Sequence, residues 1–319
     1  MSNPDGVLPD VAIRSVPLAD TRTKQPRRRV KFKDTWWRHA IGIVGIVVSL
    51  FPVVYVISSA FNRDNTLQGA SLIPVHVTTN NFRSLLENRV ADQSGGFSDA
   101  PYLHWVLNSM IIAGVTALLT TMLGALAAYA FSRFRFKGRR LGMMTLLLIQ
   151  MFPQFAAVAA IYLLVYNLGN IYSVLGLNSV LAVIVVYLGG SMGVQAWLMK
   201  GFFDTIPTEL DESARVDGAT PAQIFWGVVL PLAAPVLVVV GLISFVFTLN
   251  EFVIASALLQ TNKHFTLPVG LYGFINQNYG QHWGPFAAGS LMAMIPVTAL
   301  FLFLQRWIVS GLTAGSVKG

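Results

Sequence analysis

The sequence predicts an all-α polytopic membrane protein with six transmembrane helices and both termini in the cytoplasm. Three observations predict it. Of the 319 residues, 54% are hydrophobic and 11% charged, with a mean hydropathy of +0.61, a balance that points away from a soluble domain. Four long windows carry no Asp, Glu, Lys or Arg: Ala100 to Ser132, Leu141 to Met199, Gly218 to Asn250 and His264 to Gln305. The basic residues behind the net charge of +8 cluster beside these windows. They read as a topology signal and lack the long basic face that binding to nucleic acid would need.

Taken in order, residues 1–35 form a tail with too few large apolar residues to bury, so cytoplasmic disorder is expected. Its basic run, Lys24 to Lys33, ends against Trp36-Trp37-Arg38. The default role of that run is to hold this end in the cytoplasm, and binding to anionic headgroups also fits. A six-span membrane domain is expected over 36–319. Its first span, 40–61, is charge-free from Ala40 to Phe61. That is long enough to cross the bilayer, which argues against a cleavable signal peptide. An external loop, 62–102, leads to a span over 103–131 and the basic loop Arg133 to Arg140. The window from Leu141 to Met199 holds 59 residues, too many for one crossing. The polar stretch from Asn167 to Ser179 divides it into spans over 143–166 and 179–199. A cytoplasmic loop, 200–231, precedes a span over 232–258, an external loop over 259–285 and a last span over 286–307. Pro52, Pro153, Pro235 and Pro296 fall inside these spans and predict kinks. Alternating the six spans leaves Arg63, Arg83, Arg89 and Lys263 on one side and the other 18 of the 22 Lys and Arg residues on the opposite side. The positive-inside rule makes that second side cytoplasmic.

The segment from Lys200 to Pro231 holds the densest charge after the tail and reads as two short helices joined by a tight turn. Thr208 is placed to cap the first helix, with Glu209, Asp211 and Glu212 at the positive end of its dipole. Asp211 and Arg215 have i, i+4 spacing for a supporting pair. Gly218 sits where a left-handed C-terminal cap is expected. Thr220-Pro221-Ala222-Gln223 restarts the chain as a capping box, and Leu230-Pro231 closes the unit. A well-capped connecting loop would look like this, and so would a unit shaped for a groove on a partner.

The residues add a resemblance. Glu212-Ser213-Ala214, three residues, Gly218, nine residues and Val228-Val229-Leu230-Pro231 resemble the EAA loop of ABC importer permeases. Ser213 and Val228 depart from that pattern conservatively. Tyr129-Ala130-Phe131-Ser132-Arg133 with Arg135-Phe136 and Gly138, Gln150-Met151-Phe152-Pro153, Tyr187-Leu188-Gly189-Gly190, and the run from Gln305-Arg306-Trp307 to Gly311 through Gly319 are similar to the carbohydrate permeases, especially the maltose/maltodextrin branch. Together they cover about residues 100–319. The resemblance implies a type I importer permease fold in a prokaryotic cytoplasmic membrane. It implies four kinds of partner: a second permease subunit in a heterodimer, two copies of an ATP-binding subunit, an external sugar-binding protein and the lipid bilayer. It implies that Glu212, Ser213, Ala214, Asp217, Gly218 and Ala219 dock on the ATPase, and that the tail, with Thr313, Ala314, Gly315 and Lys318, inserts between the ATPase subunits. It also implies that Asn276, Gln277, Asn278, Tyr279 and Gly280 reach the sugar-binding protein.

The chain itself is expected to be non-catalytic. It contains no Gly-Lys dipeptide, hence no phosphate loop of the G-x-x-x-x-G-K-[ST] type. ATP and Mg are expected on the partner ATPase, with no cofactor bound here. With no cysteine there is no disulfide, thiolate nucleophile or thiolate metal site. His39, His76, His104, His264 and His282 lack ligand spacing, so no metal is proposed.

Within the spans, Glu251 is the one charged residue well inside, where a charge costs about 2.5 to 3.5 kcal/mol on insertion scales. Asn250 and Glu251 either line a translocation path or brace the span against a neighbour. Gln150 and Gln154 either offer hydrogen bonds to sugar hydroxyls or bind a neighbouring helix. A self-sufficient secondary transporter or channel using Glu251 as its proton or cation site is the alternative to an ATP-driven sugar importer.

Overall fold

The computed structural model describes residues 32–63, 74, 76–91, 97–276 and 282–314. The elements are α1 (Phe32–Ala60), α2 (Asn80–Leu86), the antiparallel pair β1 (Arg89–Ala91) and β2 (Phe97–Asp99), α3 (Tyr102–Arg133), α4 (Arg139–Gln150) and α5 (Gln154–Ile171). They continue with α6 (Val180–Phe203), α7 (Thr208–Val216), α8 (Pro221–Ile224), α9 (Leu230–Leu249), α10 (Val253–Leu258), α11 (Leu267–Tyr272) and α12 (Trp283–Ala314). The expected tail, 1–35, lies outside the described residues except for its last four, which already belong to α1.

Two units divide at Leu50. In the first, no side chain from Ile41 to Leu50 is buried, as suits a helix whose whole surface is apolar and whose solvent is lipid.

The second unit holds the remaining crossings. Four of its helical runs are long and apolar enough to span a membrane: Tyr102–Arg133, Val180–Phe203, Pro221–Leu249 and Trp283–Gln305. Helices α4 and α5 form a bent pair with 98° between them, and Pro153 sits in the break. Hydrogen bonds fix the parity. At one end of α3, Ser132 donates to Asp204 and Arg133 to the Ile206 carbonyl, just past the end of α6. At the other end, Trp105 and Asn108 donate to carbonyls of Asn262, Lys263 and Phe265, while Asn178, before α6, accepts from Gln260 and Thr261. Helices α3 and α6 are therefore parallel, and the chain must cross back between them. The bent pair makes that crossing, from Gly142 beside the Phe131 ring to Gln150 beside Gly190 and on to Asn178 beside Leu258. Counting the bent pair as one span, the described residues hold six candidate crossings, α1 among them.

Small residues set the helix spacing. A Cβ added at Gly124 would lie 3.1 Å from Gln195 Cβ, and one added at Gly193 would lie 2.7 Å from the Leu146 carbonyl oxygen, so α3, α6 and α4 meet at the backbone. Among the described residues four apolar clusters fill the interior, the smallest of them Ala113, Ala117, Phe245 and Leu249 between α3 and α9; the other three are larger. One, at the basic end, is built on Tyr129, Phe203, Ile224 and Phe225; one, around Tyr187 and Ile254, lies between α5, α6 and α10; one, at the opposite end, is built on Trp105, Leu271 and Phe274. Outward-facing side chains such as Leu118, Leu148 and Phe247 are mostly exposed, an apolar surface suited to lipid or to a partner helix.

Two expectations need correction. The span placed at 232–258 begins at Pro221 and ends at Leu249, and α10 is a separate short helix after a break at Asn250–Phe252. Leu230-Pro231 does not close a unit. The helix runs through it by way of a π-helical turn, Phe225–Val229, in which the Leu230 N–H bonds the Phe225 carbonyl. Pro231 has no N–H for the Gly227 carbonyl and its ring crowds that turn, so the turn widens instead of ending. Pro52, Pro235 and Pro296 lie inside continuous helices, while Pro153 sits at the 98° break between α4 and α5.

Candidate functional site

The polar segment between α6 and α9 is built from local rules up to a surface. Helix α7 ends in a full Schellman arrangement. Gly218 is left-handed at φ +86°, its N–H bonds the Arg215 carbonyl, and the Ala219 N–H bonds the Ala214 carbonyl. Ala214 and Ala219 both pack on the cluster of Phe203, Ile206 and Phe225, the apolar contact that accompanies such a cap. The chain restarts at once. The Gln223 N–H bonds Thr220 Oγ1, and Gln223 Oε1 accepts from the Thr220 N–H, with Pro221 first in the helix.

Thr208 does not cap α7. Pro207 precedes the helix without a side-chain hydrogen bond, and Thr208 is its first helical residue. Asp211 does not pair with Arg215. It turns inward to Arg133 at the end of α3, Nε to Oδ2 2.6 Å, with both side chains at most 5% exposed. A long-range charge in a low-dielectric pocket outcompetes an exposed i, i+4 partner. At the entrance to the loop Asp204 takes Lys200 at 2.5 Å and Ser132 at 2.7 Å. Burial pushes the Asp204 carboxyl up. The hydrogen bonds from Lys200 and Ser132, with the charges of Lys200 and Arg139, outweigh it and hold the group below the usual carboxylate range.

What remains outward on α7 is Thr208, Glu209, Leu210, Glu212, Ser213, Arg215 and Val216, followed by Asp217. Val216 is 88% exposed. A rigidly capped helix with an acidic face and uncovered apolar side chains can dock against a partner, and nothing in its arrangement performs covalent chemistry.

The second constellation lies in the break between α9 and α10. Glu251 is bound on three sides. Its carboxylate accepts the N–H groups of Ile254 at 2.9 Å and Ala255 at 3.1 Å, and the Tyr187 hydroxyl. It caps α10 and ties it to α6. Asn250 donates back to the Val246 carbonyl, and Gln150 to the Gly190 carbonyl of α6. These polar groups brace helices, and the side chain of Gln154 lies outside the described residues. Glu251→Ala should cost about 0.5 to 2 kcal/mol for the lost cap and leave the buried Tyr187 hydroxyl unpaired. Thermal unfolding of the purified protein should show the lower midpoint, while an unchanged midpoint would mean that the break is held by other contacts.

Of the residues assigned to an external partner, Asn276 is described, beside a cleft of about 710 Å³ lined by Phe252, Gln260 and Tyr272. Gln277, Asn278, Tyr279 and Gly280 lie outside the described residues, as do Gly315 and Lys318. Thr313 and Ala314 continue α12 as helix. Arg133, Asp211 and Tyr187 are the functional candidates that sequence reasoning missed. Arg133 and Tyr187 stood inside quoted motifs without a role, and a buried partner for Glu251 had one phenol available in the neighbouring span.

Comparison with known proteins agrees with this architecture. Residues 120–314 match the family described as binding-protein-dependent transport system inner membrane component. The galactooligosaccharides transport system permease protein GanQ of Bacillus subtilis (strain 168) is 40% identical over 273 residues, covering 86% of this chain and 92% of that protein. The maltose/maltodextrin transport system permease protein MalG of Escherichia coli (strain K12) is 39% identical over 284 residues, covering 88% and 95%. A chain in the crystal structure of a bacterial ABC transporter involved in import of the acidic polysaccharide alginate superposes with a TM-score of 0.66 at 21% identity. It covers 86% of this chain and 96% of that one, a likeness of fold.

Proposed function

The chain belongs to the family of binding-protein-dependent transport system inner membrane components, and from that premise we propose that it is the non-catalytic permease subunit of an ATP-driven oligosaccharide importer. The carrying observation is α7. It is capped at its end by the Schellman turn at Gly218, anchored underneath by Asp211 and left acidic and partly apolar outside. This is a docking helix for a partner ATPase present in two copies, which holds the ATP and Mg. A second permease subunit completes the membrane path, and an external sugar-binding protein delivers substrate to the end bearing Asn276. Both termini are cytoplasmic on this reading, because Arg133, Arg135, Lys137, Arg139, Arg140 and Lys200 gather at the α7 end.

Maltose or maltodextrin is the proposed cargo. The names of the two relatives differ in sugar but share the chemistry of a neutral oligosaccharide. The alternative, a lone secondary transporter working through Glu251, is disfavoured because that carboxylate is engaged by two backbone N–H groups and a hydroxyl. Uptake of a labelled sugar panel, in cells lacking only this chain and in cells with it restored, tests the assignment. Loss of maltodextrin uptake together with co-purification of an ATPase supports it. Proton-driven uptake by the chain alone in liposomes would contradict it.

The tail supplies a further expected result. Deleting residues 313–319 removes one turn or less of α12 and no crossing. The truncated subunit should insert normally, while transport-coupled ATP hydrolysis should fall. Wild-type transport by the truncated subunit would make the tail a frayed end.

A further inference from the structure

We propose that the last turn of α3, Tyr129 to Arg133, is the clamp that carries movement of α7 into the transmembrane core, with the buried Arg133–Asp211 pair as its positioning element. This rests on the reading of α7 as the docking helix.

Tyr129, Ser132 and Arg133 are spaced i, i+3 and i+4 and share one helix face. Each reaches a different part of the segment between α6 and α9. Ser132 donates to Asp204 at its start, 2.7 Å. Arg133 meets Asp211 within α7 at 2.6 Å and donates to the Ile206 carbonyl at 3.0 Å. The Tyr129 hydroxyl donates to the Pro221 carbonyl at 3.4 Å, and its ring packs on Phe225. One turn thus holds the segment before, within and after α7.

The nature of the middle contact points to more than adhesion. Glu209, Glu212, Arg215 and Asp217 are all exposed, while Asp211 is turned into the protein. A buried ion pair adds little stability over an apolar pair of similar volume, so its best-attested use is to fix register. Both Asp211 oxygens lack a well-directed hydrogen bond among the described residues, so the charge of Arg133 is what engages the Asp211 carboxylate. Above the clamp, α3 packs on α6 and α9 at backbone distance, through Gly124 against Gln195 and Thr121 against Gly241. A displacement of α7 therefore has a contiguous, closely packed route into the bundle.

The test uses the complete importer in proteoliposomes, with maltodextrin uptake and ATP hydrolysis measured on the same vesicles. Arg133→Asp and Asp211→Arg alone should each lower uptake per ATP hydrolysed about fivefold or more, and the double reversal should restore it. If a single reversal does not assemble, Arg133→Met with Asp211→Leu decides, since it buries no unpaired charge. ATPase should co-purify at the wild-type level with that pair, and uptake per ATP should still fall. A purely structural pair would leave the ratio unchanged in the apolar double variant, which would overturn the proposal, as would a double reversal that assembles without restoring coupling. Loss of ATPase recovery in the apolar double variant would also overturn it, because the pair would then serve assembly. Failure of the docking reading itself would show separately, as absence of ATPase contact at position 216 in the unaltered pair.

Discussion

Glu212→Lys should leave the chain folded in the membrane and abolish most uptake, by about tenfold or more. Glu212 is exposed on the outward face of α7, beside Ser213 and Val216, so the folded subunit should change in stability by no more than about 0.5 kcal/mol. A partner surface complementary to an acidic face would instead meet a like charge, and that juxtaposition costs several kcal/mol across an interface. Gly218→Ala provides the scale for comparison. A Cβ at position 218 meets nothing within 4 Å, so only the left-handed backbone resists it, by about 1 to 2 kcal/mol. That loosens the cap and weakens docking less than the charge reversal does. The amount of ATPase recovered with the tagged subunit, read beside uptake, checks both. Full recovery with Glu212→Lys would place the partner on another surface.

Gly270→Ala should damage the opposite end of the protein more than any single methyl added at the α7 end. The Cβ would fall 2.2 Å from the Trp105 ring. Trp105 is fully buried, packs on Phe274 at 5.8 Å between ring centres and donates from Nε1 to the Asn262 carbonyl at 2.7 Å. The ring cannot retreat without giving up that hydrogen bond or entering Phe274, and overpacking of this kind costs about 1 to 3 kcal/mol. The expected result is a clear fall in the thermal midpoint and in the membrane level of the subunit. Retention of both at wild-type values would mean that α11 shifts freely against α3.

The crossings and both caps of the α7–α8 turn were legible because they follow from composition and short-range rules. Charge-free length, a glycine after the last helical turn and Thr-x-x-Gln around a proline are all local. What was not legible depends on contacts distant in sequence. Asp211 has Arg215 one turn away, and no local rule shows that Arg133, 78 positions earlier, offers a drier and closer partner. The break at Asn250–Phe252 was hidden because hydropathy runs on through α10. It exists because Glu251 uses its carboxylate on the N–H groups of Ile254 and Ala255, which starts a new helix. Pro231 was read as a terminator, yet one wide π turn absorbs it. Of the two roles left open for Gln150, the bond it donates to the Gly190 carbonyl is the one between helices, while Asn250 donates within its own helix to the Val246 carbonyl.

The central claim, that α7 is where the ATPase docks, is tested most directly by single-site cross-linking. The natural chain has no cysteine, so Val216→Cys introduces a unique thiol at the most exposed apolar position of α7. Labelled with a short photoactivatable maleimide in native membranes, it should cross-link to the ATP-binding subunit, and the yield should drop when Glu212→Lys is added. Cross-linking to lipid alone, or to the ATPase with a yield indifferent to position 212, would contradict the account.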